Sequence, residues 1–367
     1  MEFPTKYDQI VQRMQSIDPI RYGQTRNYLS GAVTYLSPYI SRGVISTKMV
    51  LQSMLEKGVS LNEMESLIQE LCWRDYFQRV AQSKEVQQDL KFPQVDVLHD
   101  EIPSNVFHAK TGIQGVDLAI QQLMETGYMH NHARMYVASI VCNLAKTNWR
   151  NPSKWMYYYL LDADFASNSC SWQWVAGANS QKKYFANQEN VNRYLNTHQT
   201  GTFLDKTYEK LAQAEVPEVL IERQKHLFQT ELPNAAPLTI DATKPTFIYT
   251  FYNLDPIWHS EENGNRILLL EPTHFDSYPI SKLSLDFMLS LSENIPGMQV
   301  YVGSFESFIS SYQLTNCYFK EHPLNAHFSG NMEQRDWICP EVSGYFPSFF
   351  AYWKKVKKQL TNSMNLV

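Results

Sequence analysis

The hydrophobic pattern of this chain changes period once, and that change constrains the fold more than any other feature. From about residue 5 to 215, apolar residues recur at three- and four-residue spacing with few strand-like alternations, which predicts amphipathic helices. A stretch from Pro217 to Pro245, holding Pro233 and Pro237, then interrupts the pattern. Beyond it, 247–252, 267–270 and 299–302 are short apolar or β-branched runs, and 282–291 is helix-periodic. The expectation is a mainly helical domain over 1–215, a linker over 216–244 and a smaller βαβ-type α/β domain over 245–367. The length of 367 residues suits two domains.

Composition narrows the function classes. With 44% hydrophobic and 19% charged residues, the chain is neither disordered nor fibrous. Aromatic residues reach 13% while glycine numbers 14, which argues against a glycine-rich dinucleotide fold and asks what the rings stack on. A net charge of -5 gives no general attraction to a polyanion, so nucleic-acid binding needs a local basic patch. Lys354, Lys355, Lys357 and Lys358 form one, and the same residues read equally as a solvated helix face. Cys72, Cys142, Cys170, Cys317 and Cys339 are odd in number and widely spaced, which favours a reducing compartment. The start lacks a basic-then-apolar leader and no apolar run approaches a membrane span, so a soluble, cytoplasmic protein is expected.

Common phosphate-loop, dinucleotide and zinc-protease motifs are missing from the sequence. His130-Asn131-His132 suggests a metal site. On a helix, however, two residues two apart point about 200° apart, so no metal is expected there.

Two helical segments carry unusual polar stripes. Over 61–80, Met64, Leu67, Ile68 and Leu71 form a core stripe, whereas Glu70, Trp73, Arg74 and Phe77 share another face. That face is either a ligand surface or a salt-bridged exposed side. Over 116–146, with a break at Thr126-Gly127, Asn131, Arg134, Met135 and Ala138 share a stripe, and Val137, Ile140, Val141 and Leu144 supply core. Asp162 and Asp164 follow, with Asn168 and then Trp172-Gln173-Trp174; buried carboxylates demand a partner, and Arg134 is the natural one. Ser46 reads as the N-cap of a helix through Met54, and Asn151-Pro152 as the start of a helix before Trp155.

These residues stand in an order that resembles the photolyase/cryptochrome family. Tyr22, Arg26-Asn27, Gly31, Leu36-Ser37-Pro38-Tyr39-Ile40 and Gly43-Val44-Ile45-Ser46 look like its flavin-phosphate segment, and Glu70-Leu71-Cys72-Trp73-Arg74-Asp75-Tyr76-Phe77 resembles its ExxWRxF helix. Thr111-Gly112 with Val116-Asp117, and Thr126-Gly127-Tyr128-Met129-His130-Asn131-His132-Ala133-Arg134-Met135, are similar to its TGxxxVD and TGWMHNRxRM signatures. Asn148-Trp149-Arg150, Leu161-Asp162-Ala163-Asp164 and the stretch from Asn168 to Trp174 complete the series, which covers roughly 15–215.

The resemblance implies a helical domain holding FAD in a U-shape. It places Tyr22, Thr34 and Ser37 at the pyrophosphate, where hydroxyls at a helix start suit an anion. It places Arg74 among the cofactor contacts, and Asn131, Arg134, Asp162, Asp164 and Asn168 around the flavin ring, with Asn168 and the Arg134–Asp162 pair stabilising its reduced anionic form. In repair members of the family, excited reduced FAD passes an electron to a pyrimidine dimer flipped out of DNA and recovers it after the cyclobutane ring splits. Trp73 and Trp174 would be stacking walls, Met135 an apolar contact, and Glu70 and Asn131 hydrogen-bond partners of the lesion. Trp172 and Trp149 match two electron-relay tryptophans. The third has no counterpart, since no Trp lies between Trp73 and Trp149; Trp155 or Tyr157-Tyr158-Tyr159 could replace it, or simply pack the core.

There are departures from the family pattern. Val33 stands where a phosphate-binding Thr is usual, His132 replaces an Arg, Ser169-Cys170-Ser171 replaces an Asn/Gly-rich turn, and Tyr184-Phe185-Ala186 lacks a following Arg, although Lys182 and Lys183 precede it. The α/β part also stands after the flavin part rather than before it. Its closing Pro347-Ser348-Phe349-Phe350-Ala351-Tyr352-Trp353 resembles the family segment that normally leads into the flavin domain, so a permuted order is expected, with an unrelated accessory domain as the other reading. The leading expectation is a light-driven, FAD-dependent lyase splitting cyclobutane pyrimidine dimers in DNA, its antenna chromophore, if any, unspecified. The other expectations are a cryptochrome-like photoreceptor or regulator without repair activity, and a homologue that binds no flavin.

Overall fold

In the computed structural model, which describes residues 2–234 and 237–364, helices dominate up to residue 212 and a parallel sheet follows from 246. The helices that matter below are α1 (Tyr7–Gln15), α2 (Ser37–Ser41), α3 (Thr47–Glu56), α4 (Glu65–Ser83), α5 (Gln114–Thr126), α6 (Asn131–Ser139), α7 (Arg150–Tyr159) and α8 (Phe165–Ala176). The sheet comprises β1 (Thr246–Tyr249), β2 (Asn265–Leu270), β3 (Met298–Val302), β4 (Cys317–Lys320) and β5 (Asn331–Glu333); α9 (Lys282–Ser292) and α10 (Phe305–Tyr312) lie among its strands in sequence, and α11 (Phe349–Met364) follows.

All five strands run parallel in the order β3-β2-β1-β4-β5, the doubly wound arrangement, with the first strand central. β1 is buried on both faces, as a continuous Thr-Phe-Ile-Tyr run requires in a parallel sheet. Ile248, Ile267, Leu269 and Phe319 from the strands pack with Phe305 and Phe308 of α10 and with Phe328. Two strands of this sheet escaped the sequence reading, as did the short antiparallel pair Ile102–Pro103 and Arg223–Gln224. β4 alternates buried and half-buried residues over only four positions, and β5 is a largely exposed edge of three, too short for a periodic signal.

The chain gathers into two compact units, each built from separated stretches. The first takes the chain through residue 23, then 34–83 and everything from 229 onward; the second takes 24–33 and 84–228. The sequence boundaries at 215 and 245 mark a change of residue pattern, whereas the compact units follow packing.

In the first unit, α1 to α4 belong with the sheet. Asn294 just past α9 accepts from the Tyr7 backbone N–H at 2.9 Å, and Tyr39 of α2 meets Phe287 of α9 at 5.9 Å between ring centres. Beside β1, the Leu254 N–H donates to the Arg42 carbonyl at 2.9 Å, and the fully buried Arg42 guanidinium lies 3.3 Å over the Phe251 ring. Gly43 has φ +65, and a Cβ there would sit 2.5 Å from the Tyr252 carbonyl oxygen, so this approach needs glycine. Ser46 caps α3 as expected, accepting from Met49 N–H at 2.9 Å.

In the second unit, α8 packs on α6 and α7, and α6 packs on α5. The break at Thr126-Gly127 is real: Gly127 ends α5 in the left-handed conformation at φ +70. Past α6, Ile140–Leu144 is a π-helical turn, in which the Ala145 N–H reaches the Ile140 carbonyl at 2.9 Å. Its Asn143 donates to the carbonyls of Val175 (3.0 Å) and Tyr184 (2.7 Å), tying the strand of chain after α8 to this turn.

Three expected boundaries move. The segment expected as a helix from 61 begins only at Glu65, because Ser60 and Glu63 close a local turn in which the Ser60 hydroxyl donates to the Glu63 carboxylate at 2.6 Å. The helix expected to start at Asn151-Pro152 starts at Arg150, whose N–H donates to the Asn148 side chain at 3.0 Å; Pro152 lies in its first turn. His130 is the cap preceding α6 rather than a helical residue, so the 200° argument does not describe it. Its Nδ1 accepts the His132 N–H at 3.2 Å, and the two rings stand 6.0 Å apart.

No helix among the described residues is long and apolar enough to cross a membrane, and the five cysteines are free and buried.

Candidate functional site

The expected site residues divide between the two compact units, and each set is described within its own unit. In the second unit, Met129 and Asp162 meet one guanidinium. Arg134 projects from α6 and donates through Nε to the Met129 carbonyl at 2.8 Å and through Nη2 to the Asp162 carboxylate at 3.0 Å. The Asp162 side chain is 4% exposed and that of Arg134 22%, so the carboxylate is sunk and the guanidinium reaches outward. Only part of its five-donor fork is used by these bonds.

Asp164 is also buried and caps α8, accepting the Ser167 N–H at 2.7 Å. One turn on, the Asn168 amide donates to the Ser153 carbonyl at 2.9 Å, which fixes the side chain between α7 and α8. The Ser167 hydroxyl is buried without a hydrogen-bond partner, an uncommon cost beside a helix N-terminus. Asn131 is exposed at the start of α6, and its amide faces the Met135 sulfur at 3.9 Å, a weak contact that leaves both side chains adaptable. A sunk carboxylate holding a half-exposed guanidinium, with a second capping carboxylate and an unpaired buried hydroxyl, suits a flat ring rich in carbonyl and imide groups. The residues therefore fit a flavin.

The tryptophans of this unit separate clearly. Trp149 is fully buried, and its indole N–H donates to Asp89 at 2.7 Å, while Arg150 holds the same carboxylate at 3.2 Å. Trp172 is 2% exposed. Trp174, two residues later, is 40% exposed, with one neighbour ring, Tyr184, at 5.5 Å. Trp155 is buried, and Tyr158 packs on Phe228 at 4.3 Å. Asp89 was missed by sequence reasoning, since nothing local links it to Trp149.

His132, where the family pattern has Arg, packs on Tyr194 at 5.0 Å, and burial pushes its imidazole down to about 4. It is therefore neutral near pH 7. Lys183, a candidate phosphate contact, is largely covered and bonded to Asp96 at 2.7 Å.

In the first unit, Ser37 begins α2, and the Thr34 hydroxyl accepts the Leu36 N–H at 3.4 Å; Tyr22 is half-buried. Arg74 on α4 donates to the Ser41 hydroxyl at 2.7 Å, joining the expected cofactor arginine to α2. Glu70 is half-buried one turn before. Asp75, next to Arg74, is fully buried; it accepts from Thr47 (2.9 Å) and from the Ile338 N–H (3.1 Å), and burial raises its carboxyl. It is a structural anchor that lies outside the stripe of Glu70, Trp73, Arg74 and Phe77. Trp73 is half-buried, and one face of its indole is stacked on Phe349.

At the carboxyl ends of β1 and β4, where doubly wound sheets place ligands, the first unit has a cavity of about 50 Å³ lined by residues including Thr250, Asn253, Lys320 and His322. The Lys320–Asp255 ion pair at 2.6 Å lies in its wall.

Residues 67–245 match the family described as the FAD binding domain of DNA photolyase. The chain is similar to a deoxyribodipyrimidine photo-lyase of Streptomyces griseus, 32% identical over 158 residues, which are 41% of this chain and 34% of the relative. It is similar to a cryptochrome DASH of Synechocystis sp., 30% identical over 177 residues, 45% of this chain and 36% of that one. The chain thus matches about a third of the length of these curated relatives. A crystal structure of a Synechocystis cryptochrome superposes with a TM-score of 0.47 at 26% identity, covering 53% of this chain and 44% of that one. Residues 67–245 thus match a photolyase-type FAD-binding domain, and over that stretch the chain is similar to the photolyase/cryptochrome family.

Proposed function

We propose that this protein is a light-driven, FAD-dependent photolyase acting on cyclobutane pyrimidine dimers in DNA. The observation that carries this reading is Trp174: an indole left 40% exposed on α8, the helix that Asp164 caps and that carries Asn168 one turn on. Core packing does not need an open indole there, and a stacking wall for an extruded base does. Bound reduced FAD would supply the photoexcited electron that opens the cyclobutane ring and would take it back afterwards. The chain's own residues would do the rest. Asp162 holds the Arg134 guanidinium in place, so its positive charge would stabilise the reduced ring without reorganisation. Asp164 and the Ser167 hydroxyl would bind the ring edge, and Asn168 is held ready by Ser153. Ser37, Thr34 and Tyr22 would take the pyrophosphate, with Arg74 nearby through Ser41. Glu70 and Asn131 would hydrogen-bond the dimer's carbonyl and imide groups, and Trp73 and Trp174 would replace the stacking it loses on leaving the strand. Trp172 and Trp149 would carry electrons to the flavin. The test is Glu70→Ala: light-dependent repair yield of dimer-containing single strands falls while flavin content stays, and equal repair removes Glu70 from this role.

A second reading, a flavin photoreceptor without repair, is favoured by the basic positions. Lys183 is engaged with Asp96, and His132 is neutral where an arginine is usual, so phosphate contacts are fewer. Binding that stays weak and insensitive to the lesion would favour it.

We further infer that the α/β part is a permuted antenna-type domain, the flavin domain spanning 1–215 and the α/β domain 245–367. The doubly wound strand order supports this, as does the packing of α11, which follows the Pro347–Trp353 segment, against α4.

A further inference from the structure

Trp73 and Phe349 form the closest ring stack of the first unit, with centroids 3.8 Å apart and planes inclined by 8°. Aromatic pairs usually prefer offset or edge-on contact at 4.5–7 Å, so this near-parallel contact is imposed by what holds the rings. Phe349 opens α11 and is 3% exposed, whereas its neighbour Phe350 is 70% exposed. α11 packs along α4, and Tyr352, one turn after Phe349, lies 5.9 Å from Tyr76, with Phe349 itself edge-on to Tyr76 at 6.0 Å. Tyr76 also meets the Trp73 ring edge-on at 5.8 Å. Phe77, one turn on along α4, lies 5.2 Å from the Trp73 ring at 39°. The indole is therefore clamped by rings fixed in two helices, and it stays half-buried where these rings do not cover it.

We propose that Phe349 is a positioning residue: it fixes the Trp73 indole so that its exposed part is a platform for an unstacked nucleobase, and the C-terminal helix thereby completes the α4 side of the substrate site. This rests on the repair reading for the identity of the ligand. The clamp itself rests on the stack. A free tryptophan side chain must be ordered when a base binds it, whereas a clamped one is ordered beforehand, and the difference appears as affinity. Stacking of a base on an aromatic residue is worth enough that losing most of it changes affinity by about tenfold.

The test uses the full flavin-loaded chain in the dark, with a dimer-containing oligonucleotide and the same strand undamaged. Phe349→Leu keeps bulk at the buried position but removes the ring, and Phe349→Tyr restores a ring. The expected results are an about tenfold loss of preference for the damaged strand in Phe349→Leu, recovery in Phe349→Tyr, unchanged flavin content, and no further loss when Phe349→Leu is added to Trp73→Ala. Wild-type preference in Phe349→Leu, or a loss of the same size in the Trp73→Ala background, overturns the proposal. If the wild-type protein shows no preference for the damaged strand, the repair reading fails and the clamp is judged on its own: the near-ultraviolet circular dichroism that Trp73→Phe removes from the wild type should vanish in Phe349→Leu as well. Its persistence overturns the clamp.

Discussion

Asp162 and Arg134 stand 28 residues apart and meet at 3.0 Å, and their pairing was legible because a carboxylate in an apolar stretch must find a cation. Removing the charge from one partner tests its part in flavin binding. In Asp162→Asn the guanidinium loses its anchor, and since a hydrogen bond to a charged group is worth about 1.5–3 kcal/mol, flavin affinity should fall at least about tenfold. Release of fluorescent flavin on dilution measures this, and unchanged retention would contradict the assignment. Trp73 shows where legibility ended. Its place on a polar stripe was readable, but its Phe349 partner lies far along the chain, and Asp75, outside the stripe, is a buried anchor of Thr47 and Ile338 that the stripe does not reveal. Helical spacing identifies a face and says nothing of what a distant segment lays upon it.

Among the elements, those with strong local chemistry were readable. Ser46 caps α3, and Gly127 ends α5, because each uses a side chain or a backbone freedom encoded at that position. The π turn at Ile140–Leu144 was not, since its Asn143 is satisfied by distant carbonyls, Val175 at the end of α8 and Tyr184 beyond it. β4 and β5 were missed for want of length. The α2–α3 corner provides a quantitative check. Gly43→Ala places a Cβ against the Tyr252 carbonyl at a positive φ, so it should destabilise the protein by about 1–3 kcal/mol. Ser46→Ala removes one cap and should cost about 1 kcal/mol. Urea unfolding should show lower midpoints with unchanged slopes, and a wild-type midpoint for Gly43→Ala would mean this corner is looser than the structure has it.

For the whole molecule, the helical-then-α/β order was written in the hydrophobic period, while the gathering of α1 to α4 with the sheet was not, because it depends on long-range contacts such as Arg42 on Phe251. Burial also sets how the molecule responds to acid. Burial lowers His130, His132, His274 and His322, His132 to about 4 and His274 to about 3. The unfolded chain therefore binds more protons than the fold below about pH 6.5, and stability is lost as pH falls from there towards these folded values. Asp75 acts in the opposite sense, since burial raises its carboxyl, but it is one group against four. The urea midpoint should drop between pH 7 and pH 5, and His274→Phe should lessen the drop. A midpoint independent of pH over that range would show these imidazoles to be solvated.

The central claim is tested most directly by one purified preparation. Its visible spectrum is recorded, the flavin is reduced, and the protein is illuminated with dimer-containing single-stranded DNA while the ultraviolet absorbance of intact pyrimidines is followed. The account predicts bound flavin and a light-dependent return of that absorbance, lost in the dark. Bound flavin with no return at saturating DNA would contradict the repair function, and a colourless protein that takes up no added FAD would contradict the flavin site itself.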